Sequence, residues 1–357
     1  MKISKSNWTL QPEHFGPLWP YVQDENITDI NYNGQDTWVD DLFRGTYQVD
    51  VELTQDFVQQ FATRISNVVN QTFNKFDNLL EAETDELRIS FIHPEVANTG
   101  TSISIRKTPA VRRLNKEKIL KEEYCSEEVY NLLVNCIKGH MNTIMCGLPG
   151  AGKTEFLKFL TQYIPKYEKV ITIEDNLEIH YRDINPGSNC VELKVDEDNF
   201  SYTKAIKACL RQNPIWVLLS EARSVEVKYL MECFSTGLHG LTTLHTDDVR
   251  KIPDRILNMM QDSYAASRLE NDVYTFTDVG VLIRKKMRPD TGAFYRYIDQ
   301  VCFFDRDNDR NKKILVVEDG KVINKDLPPN VVKKFGLADI MDPFVLENDP
   351  IAAVLEV

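Results

Sequence analysis

The chain has 357 residues, of which 42% are hydrophobic and 27% charged, with a formal net charge of -12. This is the composition of an ordinary folded chain, long enough for two domains of roughly 100–200 residues each. The charge repels polyanions at long range, which disfavours nucleic acid as the main ligand, and seven cysteines without a C-x-x-C pair argue against a disulfide framework or a structural zinc site and for a reducing cytoplasm.

Met1-Lys2 is followed by polar residues, not by the apolar core of a signal peptide. No run reaches the ~20 apolar residues that span a bilayer, so a role at a membrane is expected to run through partners. Between Ile27 and Val39, Asn33-Gly34 separates two strand-like runs, the pattern of a hairpin. Thr54 is placed to cap a helix whose apolar face carries Phe57, Phe61, Ile65, Val68 and Val69. Strand-like runs at Ile89–Ile92 and Ser102–Arg106 complete a small α+β domain over residues 1–107. Residues 108–125, rich in Lys, Arg and Glu, read as a linker or a solvated charged helix.

A second domain, 126–357, opens at Ser126, which is followed by Glu127 and Glu128 as a helix start. Short apolar strands are expected at Thr143–Cys146, Val170–Ile173, Val217–Leu219 and Thr242–His245. Helical patterns at Thr154–Tyr163, Tyr202–Leu210 and Val225–Thr236 separate them, which argues for a parallel sheet covered on both faces. Beyond Asp272 the pattern turns to β: Asp278–Arg284, Phe294–Phe304 and Lys313–Glu318, with Lys321–Asn324 pairing back. The stretch from Leu327 is acidic, carries two prolines at once and says little about structure.

Gly147-Leu148-Pro149-Gly150-Ala151-Gly152-Lys153-Thr154 fits G-x-x-x-x-G-K-[ST], between an apolar strand and an amphipathic helix. Its glycines, with Ala151, let several backbone N–H groups converge on one anion, and the helix N-terminus adds its dipole. Lys153 is expected to reach the β- and γ-phosphates and the Thr154 hydroxyl to ligate Mg²⁺. A triphosphate site also needs a carboxylate at a neighbouring strand end. Two candidates exist: Glu221 after Ile215–Leu219, and Glu174, Asp175 and Glu178 after Ile171–Ile173. Gly237–His245 packs two glycines, two threonines and two histidines around a short strand; by itself it leaves open a structural histidine or a γ-phosphate contact.

In this order the motifs resemble the secretion ATPase superfamily, the traffic motors of type II and type IV secretion, type IV pili and conjugation. The resemblance covers about Asn26 to Val301. It implies an α/β fold: a RecA-like P-loop domain with a mostly parallel sheet, preceded by a smaller PAS-like α+β domain. It implies ATP and Mg²⁺ as cofactors, with Thr154, Glu221 and Asp175 near the metal and Glu221, Glu174, Glu178 and Lys153 in catalysis. It assigns Arg88 and Arg106 to the nucleotide, with His245 closing the site, and implies a hexamer whose N-terminal domain closes on ATP. It further implies a cytoplasmic protein at the inner face of the membrane, held by membrane-embedded platform proteins. The missing four-cysteine module resembles the type IV secretion, conjugation and Tad-pilus branch. Asn213, Ile215, Ser220 and Leu238 depart from the family pattern, and they keep a second reading open: a nucleotide-binding assembly component with weak hydrolysis. The charge speaks against a DNA translocase, and the N-terminal domain and His box against a metabolic kinase.

Overall fold

The computed structural model describes residues 11–196, 199–224, 226–259 and 266–347. The chain divides into two compact units. One runs to Ala110 and includes Met287–Tyr295; the other comprises Val111–Lys286 and the chain from Arg296.

The first unit is built on six strands: β1 (Ile27–Tyr32), β2 (Thr37–Asp41), β3 (Gly45–Val49), β4 (Leu79–Glu83), β5 (Leu87–Ile92) and β6 (Ser102–Lys107). They form an antiparallel sheet in the order β3-β2-β1-β6-β5-β4. The Asn33-Gly34 turn joins β1 to β2 as expected, with Asn33 Oδ1 accepting from the backbone N–H of Gln35 and Asp36. Thr54 caps the helix Gln55–Val69, its side chain accepting from Phe57 N–H. That helix buries Val58, Phe61, Ala62 and Ile65 against one face of the sheet; Val68, expected on the apolar face, lies 36% exposed. A helix has 3.6 residues per turn, so the stripe that starts at Val58 leaves Val68 off its axis.

The second unit carries β7 (Thr143–Cys146), β8 (Val170–Glu174), β9 (Cys190–Lys194), β10 (Trp216–Leu219), β11 (His239–Leu244), β12 (Val279–Met287, all but its last residue), β13 (Phe294–Asp307, from Arg296 on), β14 (Arg310–Glu318) and β15 (Lys321–Val322). The sheet order is β15-β14-β13-β12-β7-β11-β10-β8-β9. From β12 to β9 all neighbours run parallel, while β13–β14 and β14–β15 are antiparallel. Alternation along each strand feeds two core layers. Trp216 and Leu218 join the cluster around the helices Glu127–Lys138 and Lys153–Leu160; Val217 and Leu219 join the one around Tyr202–Leu210 and Glu226–Ser235. Burial on both faces explains why these strands read as unbroken apolar runs.

Several elements differ from expectation. The segment read as a linker or a solvated charged helix does hold the helix Lys116–Lys121, but it buries Leu114 and Ile119 in the second unit's core. Its charges outnumber two apolar anchors, and composition averages them away. The strand expected at Thr242–His245 begins at His239 and ends at Leu244, leaving His245 just beyond it. The helices Ile252–Asn258, Ala266–Phe276 and Pro329–Leu337 were not expected; Pro329 sits in the first turn of the last, where a missing N–H costs nothing. Residue Val225, where a helix was expected to begin, lies outside the described residues. All seven cysteines are free, and Cys136, Cys146 and Cys209 are buried as apolar filler.

Ser126 Oγ accepts from Val129 N–H and opens the helix that carries much of the second unit's core. Ser126→Ala is expected to lower unfolding stability by about 1 kcal/mol, read from the urea midpoint.

Candidate functional site

Strand register decides which loops meet. Cys146 lies beside Leu244, Leu219 beside Thr242, and Leu219 beside Ile173. The segments that follow, Gly147–Thr154, His245, Ser220-Glu221 and Glu174–Glu178, therefore emerge together at the carboxyl ends of four parallel strands. That edge is where open α/β sheets bind ligands.

The glycine loop has the required backbone. Gly147, Gly150 and Gly152 have φ of 150°, 73° and 91°. A Cβ on Gly147 would meet the Ile283 carbonyl oxygen at 2.4 Å, whereas one on Gly150 would meet nothing within 4 Å. Gly147 is thus fixed by packing against β12, and Gly150 faces open space, as a cradle for an anion requires. Ala151 is buried, its N–H donating to Leu148 O at 3.2 Å. Gly152 caps the helix Lys153–Leu160, whose N-terminus points into the loop.

Lys153 is 8% exposed. Its Nζ donates to the carbonyls of Gly147 (3.1 Å) and Leu148 (3.3 Å) and lies 3.2 Å from His245 Nδ1. Burial pushes its pKa down, opposed by Glu221, Cys146 and Glu178. His245 Nε2 lies 2.9 Å from Glu221 Oε1. Its Nδ1 also lies 3.2 Å from Gly147 O, so the ring faces Glu221 with one nitrogen and Lys153 and the glycine loop with the other. Glu221 Oε2 accepts from Arg223 Nη2 at 2.8 Å, and Arg223 Nη1 reaches Asp175 Oδ2 at 3.0 Å. One continuous polar chain, Lys153–His245–Glu221–Arg223–Asp175, thus joins four loops.

Thr154 Oγ1 donates to Glu178 Oε2 at 3.3 Å, which ties the glycine loop to the acidic loop. Glu174 stands apart. It is fully buried, and its Oε1 accepts from the backbone N–H of Glu178 (3.2 Å) and Ile179 (3.1 Å). It shapes the turn that presents Asp175 and Glu178. Burial, above all, pushes its pKa up to about 8; the two N–H donors act against this and the Glu178 and Glu192 charges add to it. Among the described residues no three His, Cys, Asp or Glu side chains form a metal-binding group. The oxygens of Thr154, Asp175 and Glu221 suit Mg²⁺, which keeps several waters and takes phosphate oxygens alongside one or two protein ligands.

Arg88 and Arg106 belong to the first unit. They lie directly opposite each other on β5 and β6, within a cross-strand row that also holds Asp29 on β1 and Glu83 on β4. Arg106 Nε pairs with Asp29 at 2.8 Å and Arg88 with Glu81 at 3.5 Å. Each cation is thus paired with a carboxylate of the same sheet.

His239 lies at the start of β11, and a strand rises about 3.3 Å per residue, so nearly the whole strand separates it from His245. Its ring centroid is 4.8 Å from that of His140, and burial with the His140 and Lys334 charges pushes its pKa down to about 4. It is a neutral packing residue. Two side chains at the site escaped the sequence reading. Arg223 stands two residues past Glu221, a spacing with no motif attached. Arg296, whose Nε donates to Gly150 O at 3.1 Å, lies near the start of β13, far away in sequence, and carried no signal.

A family model described as type II/IV secretion system protein matches residues 75–279. An uncharacterized protein of Bacillus anthracis is 26% identical over 272 residues, 73% of this chain and 59% of its own length. The chain thus spans less than two thirds of that relative. The type IV secretion system protein VirB11 of Brucella suis biovar 1 is 24% identical over 329 residues, covering 81% of this chain and 89% of that protein. The crystal structure of the pilus retraction motor PilT with bound ADP superposes with a TM-score of 0.54 at 20% identity, over 76% of this chain and 78% of that one. At that identity the last likeness speaks to the fold: both chains are RecA-like α/β proteins.

Glu174 gives a pH signature. Its folded-state pKa of about 8 stands above the ordinary 4.5, so its stabilising effect is complete below pH 4.5 and is lost as the pH rises to 8. Glu174→Gln keeps the acceptor and removes the titration. The stability of the variant relative to the parent is expected to rise between pH 5 and pH 8, measured by urea midpoints; a difference constant with pH would contradict the assignment.

Proposed function

The chain belongs to the type II/IV secretion system protein family, and on that premise we propose that it is an Mg²⁺-dependent ATPase motor serving a secretion, conjugation or pilus machine of the type IV branch. The observation that carries the reading is the chain Lys153–His245–Glu221, which links the glycine loop to a carboxylate at a neighbouring strand end.

The residues fit the ligands. A buried ammonium held only by two carbonyls and an imidazole is better satisfied by phosphate, and the open face of Gly150 leaves room for one. Thr154, Asp175 and Glu221 would hold Mg²⁺, which would offset charge on the phosphate oxygens. The backbone N–H groups of the glycine loop and the helix N-terminus orient the phosphates. Lys153 leaves its own loop carbonyls for the β- and γ-phosphates. Glu221, set by His245, orients the attacking water and takes its proton, with Glu178 supporting from the acidic loop. Glu174 acts beneath them by fixing the turn. Arg88 and Arg106 sense the γ-phosphate, so that hydrolysis releases the N-terminal unit and supplies the working stroke. The motor works as a hexamer, in the cytoplasm against membrane-embedded partners.

The expected outcome of mutation is specific. Lys153→Ala and Glu221→Gln lower the rate of phosphate release by at least about 100-fold, while Glu221→Gln still binds nucleotide. Light scattering of the nucleotide-loaded protein gives the mass of six chains. Hydrolysis that survives Lys153→Ala at the parental rate would refute the reading.

A further inference from the structure

Arg223 carries no role in the function proposed above, yet it occupies the centre of the acidic cluster. Its guanidinium forks between two carboxylates from different strand ends: Nη2 to Glu221 Oε2 at 2.8 Å, and Nη1 to Asp175 Oδ2 at 3.0 Å. The backbone beneath it is bolted down. Glu226 Oε1 accepts from the N–H of Arg223 (2.5 Å) and of Ser224 (2.6 Å). Ala222 N–H donates to Thr243 O at 2.8 Å, and Thr243 Oγ1 donates to Ser220 O at 2.8 Å. Glu226 is 5% exposed, so this mount lies inside the fold.

The consequence is geometric. A carboxylate on a short side chain at a strand end has several rotamers available. Glu221 has each oxygen held on one side, one by His245 Nε2 and one by Arg223, with the remaining lone pairs open to water or metal. Asp175 would repel Glu221 if nothing stood between them, and the planar fork of arginine is suited to bridge two such groups. Arg223 itself is 52% exposed, which screens the pairs and leaves them a modest share of overall stability, of a size that a Tm shift of about a degree or two reads. Their effect lies in where the two carboxylates point.

We propose that Arg223 is a positioning residue that holds Glu221 and Asp175 in one arrangement, so that Glu221 aims at the attacking water. This rests on the ATPase reading, and it deepens that reading by assigning the group that aims the carboxylate. Arg223 acts through Glu221.

The test has two arms. In steady-state ATP hydrolysis, Arg223→Ala is expected to lower kcat about 10–100-fold, the range a misplaced catalytic group produces, with KM for ATP within about threefold of the parent. Arg223→Lys, which offers a cation without the fork, recovers part of kcat. A kcat within about twofold of the parent, or a loss confined to KM, overturns the proposal. The second arm needs no turnover. In calorimetry of the nucleotide-free chain, the Tm shift caused by Arg223→Ala is expected to be smaller in an Asp175→Asn background than in the parent, because the two share one contact. Equal shifts in both backgrounds overturn the proposal. A parent that hydrolyses no ATP defeats the ATPase reading alone, and the calorimetric arm still decides whether Arg223 couples the two loops.

Discussion

The ammonium of Lys153 is the point on which the site turns. It is buried, burial pushes its pKa down, and it makes no ion pair among the described residues. Its partners are dipoles: two carbonyls of its own loop and the ring of His245. A buried charge satisfied by dipoles alone is stable enough to fold but remains a strong ligand for an anion. The loop is therefore closed on itself and at the same time prepared to exchange its contacts for phosphate.

That exchange has a defined route outward. If Lys153 leaves His245 Nδ1 for a phosphate oxygen, the ring keeps Gly147 O on that side and Glu221 on the other. Glu221 is joined to Arg223, and Arg223 to the acidic loop, whose turn is shaped by the buried Glu174. Each link is a single hydrogen bond or ion pair at the end of a strand in a rigid parallel sheet. The sheet supplies the fixed frame; the side chains supply the adjustable parts.

Much of this was legible in the sequence, for identifiable reasons. The glycine string, the caps at Thr54 and Ser126, and the apolar strands carry their physics in local order. Register could not be read, because it depends on pairings between distant segments, and register is what brings His245, Glu221 and Asp175 together. The role of Glu174 was misjudged for the same cause. Its position in an acidic run suggested a group facing substrate, whereas the turn buries it and makes it an anchor for two backbone N–H groups. Arg223 and Arg296 had no pattern to announce them. The burial of Leu114 and Ile119 is hidden by averaging, since they are two apolar residues among many charges.

The most direct measurement is a crystal structure of the chain with a non-hydrolysable ATP analogue and Mg²⁺. Lys153 Nζ is expected on a phosphate oxygen and beyond hydrogen-bond reach of Gly147 O and Leu148 O, with His245 and Arg223 still holding Glu221. A bound analogue with Lys153 still on its own loop carbonyls would contradict this.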